Sequence, residues 1–310
     1  MLIVVALGGN ALLRRGEPMT TTHLVESIET ACDALAPLAE GNELVITHGN
    51  GPQVGLLALQ AAAYDETSGY PFDILDAQTI GMIGYLLARE LRNRLPAGRD
   101  VTTLVTMTRV AADDPAFSDP SKFVGPVYHE EEADELAEEH GWTVKPDGDS
   151  WRRVVASPLP VEIVELAPVA GLLEAGAVVI CAGGGGVPVV RDPASGHLVG
   201  VEAVVDKDHT SAVLALGLGA DRLVIVTDVD AVYEGWGTDD ARSLATAHPD
   251  VLEAMSFPAG SMGPKISAAC LFARSGKGDA VVGALGDLAE LLAGRAGTVV
   301  STSNEGTTSR

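Results

Sequence analysis

The sequence has few cysteines, and their spacing suggests no structural use. Cys32, Cys181 and Cys270 are odd in number, lie far apart and form no CxxC pair. Both a disulfide framework and a zinc site are therefore disfavoured. Free thiols fit a reducing compartment, so we expect a cytoplasmic protein.

Positive charge is scarce as well. Lys and Arg number 20 against 43 Asp and Glu in 310 residues, which gives a formal net charge of −23. A field of this sign repels nucleic-acid phosphates and anionic lipids, so we expect neither as a partner. It also repels nucleotides, so a nucleotide site would need a local cluster of cations. The candidate lysines are Lys122, Lys145, Lys207, Lys265 and Lys277.

Long apolar runs are also missing. No stretch approaches the ~18 apolar residues of a membrane span, and the opening MLIVVALGG lacks the basic segment of a secretion signal. We therefore expect neither a membrane span nor a leader. Hydrophobic residues still make up 46% of the chain, and 35 residues are glycine. This balance is typical of a packed globular protein with many tight turns.

Short Val- and Ile-rich runs alternate with segments of helical periodicity. Such runs, apolar at successive positions, are typical of parallel strands buried on both faces. They lie at 2–7, 43–48, 101–107, 177–182, 222–227, 279–284 and 297–301. Strands alternating with helices predict an α/β fold with an open, mostly parallel central sheet and helices on both faces.

Residues 112–160 interrupt this alternation and form a predicted lid subdomain that protrudes from the sheet. They contain an acidic helix from Glu130 to His140 and a hairpin around Pro146–Ser150. We predict that aromatic residues pack a small core within the lid. These residues are Phe117, Phe123, Tyr128, Trp142 and Trp151. The alternative is a surface insertion without a role.

Three of the predicted strands end in glycine-rich turns. These turns are Gly8-Gly9-Asn10, Gly49-Asn50-Gly51 and 183–186. Ligands of open α/β sheets bind beyond the carboxyl ends of the strands, and glycine lets the backbone approach an anion closely. Packing alone could explain any one turn, but three favour phosphate-binding loops. P-loop, dinucleotide and protein-kinase motifs are all absent, so these loops belong to a different design.

Two lysines stand out by their context. Lys207 lies in the sequence Asp-Lys-Asp and Lys265 follows Gly-Pro, each at the start of a segment with helical periodicity. Phosphoryl transfer needs cations fixed around the migrating group more than it needs an acid or a base. Asp208 could hold both ammonium groups in place. The alternative is that Asp206 or Asp208 only caps a helix and that the lysines are solvated.

The segment at 223–237 follows a predicted strand with Asp228, Asp230 and Tyr233. The two carboxylates could hold a ribose or the water shell of a metal–phosphate complex, and Tyr233 could face a base. A turn that contains a packed aromatic is the equally open alternative.

Taken together, these segments resemble carbamate kinases, which belong to the amino-acid-kinase superfamily. The resemblance covers essentially the whole chain, and HGNGPQVG, the GGGG run and the lid motif ending in GP are its most specific parts. The matching segments are VALGGNAL (5–12), THGNGPQVG (47–55), GMIGY (81–85), DPAFSDPSKFVGPVY (114–128), WRRVVASPLP (151–160), CAGGGGVPVV (181–190), GVEAVVDKD (200–208), TDVDAVY (227–233) and GSMGPK (260–265).

The resemblance implies roles for the residues singled out above. Lys207 and Lys265 would neutralise the transferring phosphoryl group, Asp208 would orient them, and Lys122 would reach the substrate when the lid closes. The implied substrate-binding residues, acting through backbone N–H groups, are Gly8, Gly9, Asn10, Gly49, Asn50 and Gly51. The implied nucleotide-binding residues are Thr227, Asp228, Asp230, Tyr233, Ser261, Met262, Gly263 and Pro264.

The resemblance also implies the organisation and the partners. Residues 1–310 would form a single domain, with a carbamoyl-phosphate lobe at about 1–200 that includes the lid and a nucleotide-binding lobe at 201–310. The substrates would be ATP or ADP with carbamate or carbamoyl phosphate, and Mg²⁺ would bind through nucleotide phosphates and water rather than through protein ligands. A homodimer is implied, as is an ATP-forming fermentative direction.

Four positions depart from the family pattern. Ile80 stands where a glutamine usually precedes the Gly of the IGY segment, Leu159 replaces a basic residue, and His209 and Thr210 follow the Asp-Lys-Asp sequence. None replaces a proposed catalytic lysine. Two rival functions stay open: a sibling kinase of the same fold that phosphorylates an amino-acid carboxylate, and a nucleotide-binding sensor that has lost catalysis through Ile80 and Leu159.

Overall fold

The computed structural model describes residues 1–12, 20–64, 70–258 and 260–309. Strands occur along the whole of this range. In chain order they are β1 Leu2–Leu7, β2 Glu43–His48, β3 Val101–Thr103, β4 Met107–Val110, β5 Lys122–Tyr128, β6 Thr143–Asp147, β7 Ser150–Val155, β8 Pro160–Ile163, β9 Val178–Ile180, β10 Val187–Arg191, β11 Leu198–Gly200, β12 Arg222–Thr227, β13 Tyr233–Glu234, β14 Arg242–Ala247, β15 Asp279–Ala284, β16 Thr298–Val300 and β17 Thr307–Ser309.

The helices lie between these strands. They are α1 Gly9–Leu12, α2 Thr21–Leu35, α3 Gly51–Tyr64, α4 Phe72–Arg94, α5 Glu130–His140, α6 Leu166–Glu174, α7 Lys207–Leu218, α8 Pro249–Ala254, α9 Met262–Ala273 and α10 Leu288–Leu292. Within the described part of the chain, no helix has the length and apolar character needed to cross a membrane.

The central sheet has ten strands. Its order is β13-β14-β16-β15-β12-β1-β2-β9-β3, and β17 also pairs with β14. The pairings from β15 to β3 are parallel. The antiparallel pairings lie towards the other edge, where β16 runs against β15, and β13 and β17 run against β14. The prediction of an open, mostly parallel sheet is confirmed.

Alternate side chains of β1 face two different hydrophobic layers. Ile3, Val5 and Leu7 pack with residues of α2 and α4, whereas Val4 packs with residues of α7 and α9 on the opposite face. Successive side chains of a strand point to opposite faces, so helices cover both sides of the sheet, as predicted. Each fully buried aliphatic side chain of this kind contributes about 1.5–3 kcal/mol.

The prediction of one strand at 101–107 is wrong. β3 lies in the central sheet, whereas β4 belongs to a separate four-stranded sheet of order β11-β10-β4-β8. The chain changes sheets between them: Leu104 N donates to a carbonyl of β9, while Thr106 O accepts from the first residue of β10. Hydrophobicity alone cannot separate two short strands that serve different sheets.

Residues 112–160, which the sequence predicts to form a lid and which are called the lid below, contain a small sheet of their own. The strands of the lid form an antiparallel sheet of order β5-β7-β6, with α5 beside it and the hairpin turn between β6 and β7. The prediction of an aromatic core is wrong, because all five aromatic side chains are only half-buried. The lid instead buries aliphatic residues, and Val124 and Val155 join a cluster with Val54 of α3 and Phe72 of α4. The lid is thus packed against the rest of the molecule.

Two further contacts fix the lid against α3 and α4. Strand β5 lies directly on α3, because a Cβ on Gly55 would collide with the backbone of Gly125. Gly125 itself has a φ of +73°, a left-handed conformation that glycine adopts without strain. The guanidinium of Arg153 lies 4.8 Å from the ring centroid of Phe72 and 4.3 Å from that of Trp142.

Candidate active site

Asp208 joins the two lysines that stand out in the sequence. Lys207 Nζ donates to Asp208 Oδ1 at 2.5 Å, and Lys265 Nζ donates to Asp208 Oδ2 at 3.0 Å. The Asp208 side chain is 4% exposed, and those of Lys207 and Lys265 are 10% and 15% exposed. One buried carboxylate therefore holds together two ammonium groups that would otherwise repel each other.

Charge and burial shift the pKa values within this cluster. Burial alone would raise the pKa of Asp208, but the positive charges of Lys207 and Lys265 hold that pKa below its ordinary value. Burial lowers the pKa of the Lys207 ammonium, and the Asp208 charge opposes this shift. Asp208 is therefore an ionised acceptor at neutral pH, suited to orienting cations rather than to donating a proton.

Helix α7 begins within the Asp-Lys-Asp sequence. Asp206 is its N-cap, and its Oδ1 accepts from the backbone N–H groups of Asp208 at 3.0 Å and His209 at 3.2 Å. The capping alternative is thus correct for Asp206, while Asp208 lies between the lysines. Lys265 lies in the first turn of α9, so two helix N-termini present the paired lysines.

The first turn of α7 is fixed over the carboxyl end of β2. Thr47 Oγ1 and Ser211 Oγ share a hydrogen bond of 2.6 Å, and Ser211 Oγ donates to the Lys207 carbonyl at 2.6 Å. Burial, and to a smaller extent the nearby Lys207 charge, lower the pKa of His48 to about 4. The lysine cluster therefore lies at the strand ends, where ligands of such sheets bind.

The first two glycine turns meet at the same edge of the sheet. Gly49 N donates to Leu7 O at 3.1 Å, and a Cβ on Gly49 would lie 3.0 Å from Gly9 N. A Cβ on Gly51, the first residue of α3, would meet nothing within 4 Å. The backbone of these turns can therefore approach a ligand closely, although the Gly49 N–H already bonds to the chain. The side chain of Asn10 lies outside the described residues.

The third glycine run is accounted for by packing. All four residues at 183–186 are buried, and a Cβ on any of them would collide with its neighbours: His48, Asn50, Val205 and Thr108 in turn. Three of the four also have φ between +67° and +101°, where only glycine is unstrained. The lack of side chains in this run therefore lets the neighbouring segments pack closely against its backbone.

Lys122, the first residue of β5, reaches from the lid to α7. Its Nζ donates to Asp206 Oδ2 at 2.8 Å. Burial alone would lower the pKa of Lys122, but the Asp206 charge holds it above its ordinary value. Lys122 is therefore a cation at neutral pH, held beside the helix that carries Lys207.

The five lysines thus fall into two groups. Lys122, Lys207 and Lys265 converge on one pair of aspartates at the start of α7. Lys145 pairs with Asp119 within the lid at 2.7 Å, and Lys277 is exposed. The structure therefore assembles, in a strongly anionic chain, the local cluster of cations that a nucleotide site requires.

Comparison with known proteins assigns the chain to a family. A model described as the amino acid kinase family matches residues 1–284 of the chain. The chain belongs to the amino acid kinase family.

Within this family, the similarity to carbamate kinases is extensive. A carbamate kinase of Rhizobium meliloti (strain 1021) is 52% identical, over 98% of this chain and 94% of its own length. A carbamate kinase of Haemophilus influenzae is 50% identical, over 99% of this chain and 98% of its own. The structure of a Giardia lamblia carbamate kinase bound to AMP-PNP superposes with a TM-score of 0.87 at 35% identity, over 97% and 98% of the two chains. The predicted fold, enzyme class and carbamate kinase function are confirmed.

The predicted nucleotide-binding residues of this amino acid kinase lie in two segments. Thr227 ends β12, and Asp228 and Asp230 lie exposed in the turn before Tyr233. The Tyr233 hydroxyl donates to Asp230 Oδ1 at 2.8 Å, and its ring packs edge-on against Trp236 with the centroids 5.0 Å apart. The turn therefore also has the packed aromatic of the alternative interpretation. The other segment, Ser261–Pro264, forms the N-cap and first turn of α9, next to Lys265.

Sequence reasoning missed the support beneath Asn50. Asn50 Nδ2 donates to Asp76 Oδ1 and to Thr79 Oγ1, both at 2.8 Å. Burial raises the pKa of Asp76 well above its ordinary value, although Asn50 opposes the shift. The side-chain amide of Asn50 is therefore fixed against α4, and its carbonyl accepts from Val54 N at 2.9 Å. No sequence signal marks Asp76, since acidic helix residues are usually solvated.

The four departures from the family pattern lie around the cluster without replacing its members. Ile80 is fully buried in α4, and Leu159 is 59% exposed at the end of the lid. Thr210 Oγ1 donates to Gly185 O at 3.1 Å, and the His209 ring lies between Asp206 and Ser267. All the predicted catalytic side chains are present and in contact with one another or with the start of α7.

Proposed function

We propose that this kinase transfers a phosphoryl group reversibly between carbamoyl phosphate and MgADP, and that in the cell it forms ATP in a fermentative arginine or purine pathway. The observation that carries the proposal is the convergence of Lys122, Lys207 and Lys265 on Asp206 and Asp208. This cluster of lysines and aspartates lies at the carboxyl edge of the sheet. The chain that carries it is similar to carbamate kinases over nearly its whole length.

The lysines match what phosphoryl transfer demands. The bond from phosphorus to the carbamate oxygen breaks, a bond from phosphorus to the terminal phosphate oxygen of ADP forms, and carbamate leaves as an anion. No side chain has to accept or donate a proton, so the main task is to stabilise charge on the migrating group. Lys207 and Lys265, both bound to Asp208, supply that charge, and Lys122 adds a third cation from the lid.

The binding residues divide between two lobes. In the carbamoyl-phosphate lobe, about 1–200, the substrate lies on the backbone of Gly8, Gly9 and Asn10 and of Gly49, Asn50 and Gly51. In the nucleotide lobe, 201–310, the two segments around Tyr233 and Ser261–Pro264 hold the nucleotide. Gly8 lies beside the end of β12, since a Cβ on Gly8 would lie 3.1 Å from Val226 O. This closeness supports a short distance between the two bound substrates.

Magnesium enters this proposal as part of the nucleotide. Among the described residues, no group of three or more His, Cys, Asp or Glu side chains could hold a metal ion. Mg²⁺ commonly binds through substrate phosphates and water, with one or two carboxylates at most. The exposed carboxylate of Asp230 can contact such a water shell. Bound Mg²⁺ would neutralise part of the phosphate charge.

A reducing cytoplasm is the proposed location. Cys32, Cys181 and Cys270 are all buried free thiols. Burial raises the pKa of Cys32, Cys181 and Cys270 to about 12, so the reactive thiolate is scarce at neutral pH.

The reaction is tested by offering purified protein MgADP with a panel of acyl phosphates. We expect ATP from carbamoyl phosphate and none from acetyl, glutamyl or aspartyl phosphate. ATP formed from another donor but not from carbamoyl phosphate would identify the sibling kinase instead. Tight MgADP binding with no transfer from any donor would identify the sensor.

The proposed homodimer is supported by an exposed apolar stripe on α4. Ile74, Met82 and Tyr85 are 43%, 37% and 60% exposed, at spacings that place them along one side of the helix.

We expect sedimentation velocity to give twice the chain mass of 31.9 kDa. Tyr85→Glu combined with Met82→Glu should give monomers, because buried unpaired carboxylates disfavour an interface. Leu271→Glu, at a 42% exposed residue of α9, should leave the dimer intact. A monomeric wild type at micromolar concentration would refute the proposal.

A further inference from the structure

The carboxylate of Asp206 links several elements around the lysine cluster. Its Oδ1 accepts from two backbone N–H groups at the start of α7, and its Oδ2 accepts from Lys122 Nζ of the lid. The Asp206 side chain is only 17% exposed and that of Lys122 is 35% exposed. The pair is therefore partly shielded from water, where charge-assisted hydrogen bonds are stronger than at an open surface.

His209 extends this link to a third element. Its Nδ1 lies 3.3 Å from Asp206 Oδ1, and its Nε2 lies 3.0 Å from Ser267 Oγ on α9. Ser267 lies two residues beyond Lys265 in the same helix. The lid, α7 and α9, which carry Lys122, Lys207 and Lys265 respectively, are thus connected through one carboxylate and one imidazole.

We propose that Asp206 is a positioning residue for the transfer reaction, which holds Lys122 of the lid in place beside the lysines of α7 and α9. This inference rests on the proposed function. Asp206 itself contacts neither the migrating group nor the nucleotide; it acts through Lys122. His209, which contacts both Asp206 and Ser267, keeps α9 aligned with the start of α7.

Capping alone does not account for this arrangement. A helix N-cap needs one acceptor oxygen, and asparagine and serine serve as well as aspartate. Here Oδ1 is the capping oxygen, whereas Oδ2 accepts from a lysine of the lid. The negative charge and the second oxygen are therefore the features that capping leaves unexplained, and they are the features that an amide removes.

The opposite role makes the opposite prediction. If Asp206 merely occupied Lys122 until substrate arrived, the two would compete, and removing the charge would free the lysine for the anionic substrate. The KM for carbamoyl phosphate would then fall. If Asp206 positions Lys122, that KM rises, because the lysine must be ordered each time substrate binds.

The test is Asp206→Asn, with Asp206→Ser as a second variant that also keeps a capping oxygen. We expect the KM for carbamoyl phosphate to rise about tenfold, in line with the loss of one charge-assisted hydrogen bond. The KM for MgADP should stay close to that of the wild type. Asp119→Asn is the matched control, since it breaks the more exposed Lys145–Asp119 pair of the same lid and should change neither constant.

Two further measurements separate positioning from a structural effect. In a Lys122→Met background, Asp206→Asn should change the KM for carbamoyl phosphate less than twofold, because the partner is already gone. Without substrate, it should speed amide hydrogen exchange in Lys122–Tyr128 but not in Lys207–Leu218. A lowered or unchanged KM, an additive effect with Lys122→Met, or unaltered lid exchange would overturn the proposal. A wild type inactive with carbamoyl phosphate would refute the proposed function instead, while lid exchange would still decide the link.

Discussion

Replacing Lys207 by methionine is expected to lower kcat for ATP formation from carbamoyl phosphate by about a thousandfold. Methionine keeps most of the apolar stem but removes the ammonium group that Asp208 holds at the start of α7. With that cation removed, Lys265 and Lys122 alone stabilise the charge on the migrating phosphoryl group less well. The measurement is the initial rate of ATP formation at saturating MgADP, with MgADP affinity followed separately by calorimetry.

The matched control is Lys277→Met, which makes the same chemical change at an exposed lysine and should leave kcat unchanged. Circular dichroism of both variants should match that of the wild type. A Lys207→Met enzyme that retains more than a tenth of the wild-type kcat would show that Lys207 does not act on the migrating group.

Replacing Asp208 by asparagine is expected to reduce both stability and activity. The amide leaves the ammonium groups of Lys207 and Lys265 side by side without the carboxylate between them. Removing one partner from a buried charged group costs about 3–5 kcal/mol, so we expect a loss of that order in the free energy of unfolding in urea. We also expect kcat to fall by at least about a hundredfold, because the lysines lose their fixed positions.

The double variant Lys207→Met/Asp208→Asn separates the two effects. It removes one of the repelling cations, so it should recover part of the lost unfolding free energy while remaining inactive. Asp119→Asn, at an exposed carboxylate of the lid, should match the wild type in both measurements. An Asp208→Asn enzyme of wild-type stability and activity would refute the organising role of this carboxylate.

The central part of this site could be predicted because positive charge is so rare in the chain. With five lysines available, Lys207 and Lys265 were the two placed at starts of predicted helices, and the structure joins both to Asp208. The fold was predictable for a related reason. Strands buried on both faces produce apolar runs that stand out, and the helices between them keep their periodicity.

The remaining features depend on contacts between distant parts of the chain. The pairing of Lys122 with Asp206 spans 84 positions, and the support of Asn50 by Asp76 and Thr79 joins the turn before α3 to α4. Neither leaves a local pattern. The glycines at 183–186 look like a phosphate loop in the sequence. A run of glycines indicates that some group lies close to the backbone, but it does not distinguish a bound phosphate from a neighbouring part of the protein.

The bare contact between Gly55 and Gly125 sets how near the lid can come. The two backbones touch there with no side chain between them. The distance between the lid and α3 therefore depends on the absence of a Cβ atom at Gly55. One methyl group on Gly55 would wedge β5 away from α3. Lys122 lies three positions before Gly125 on that strand, and its reach to Asp206 thus depends on a residue that carries no chemistry of its own.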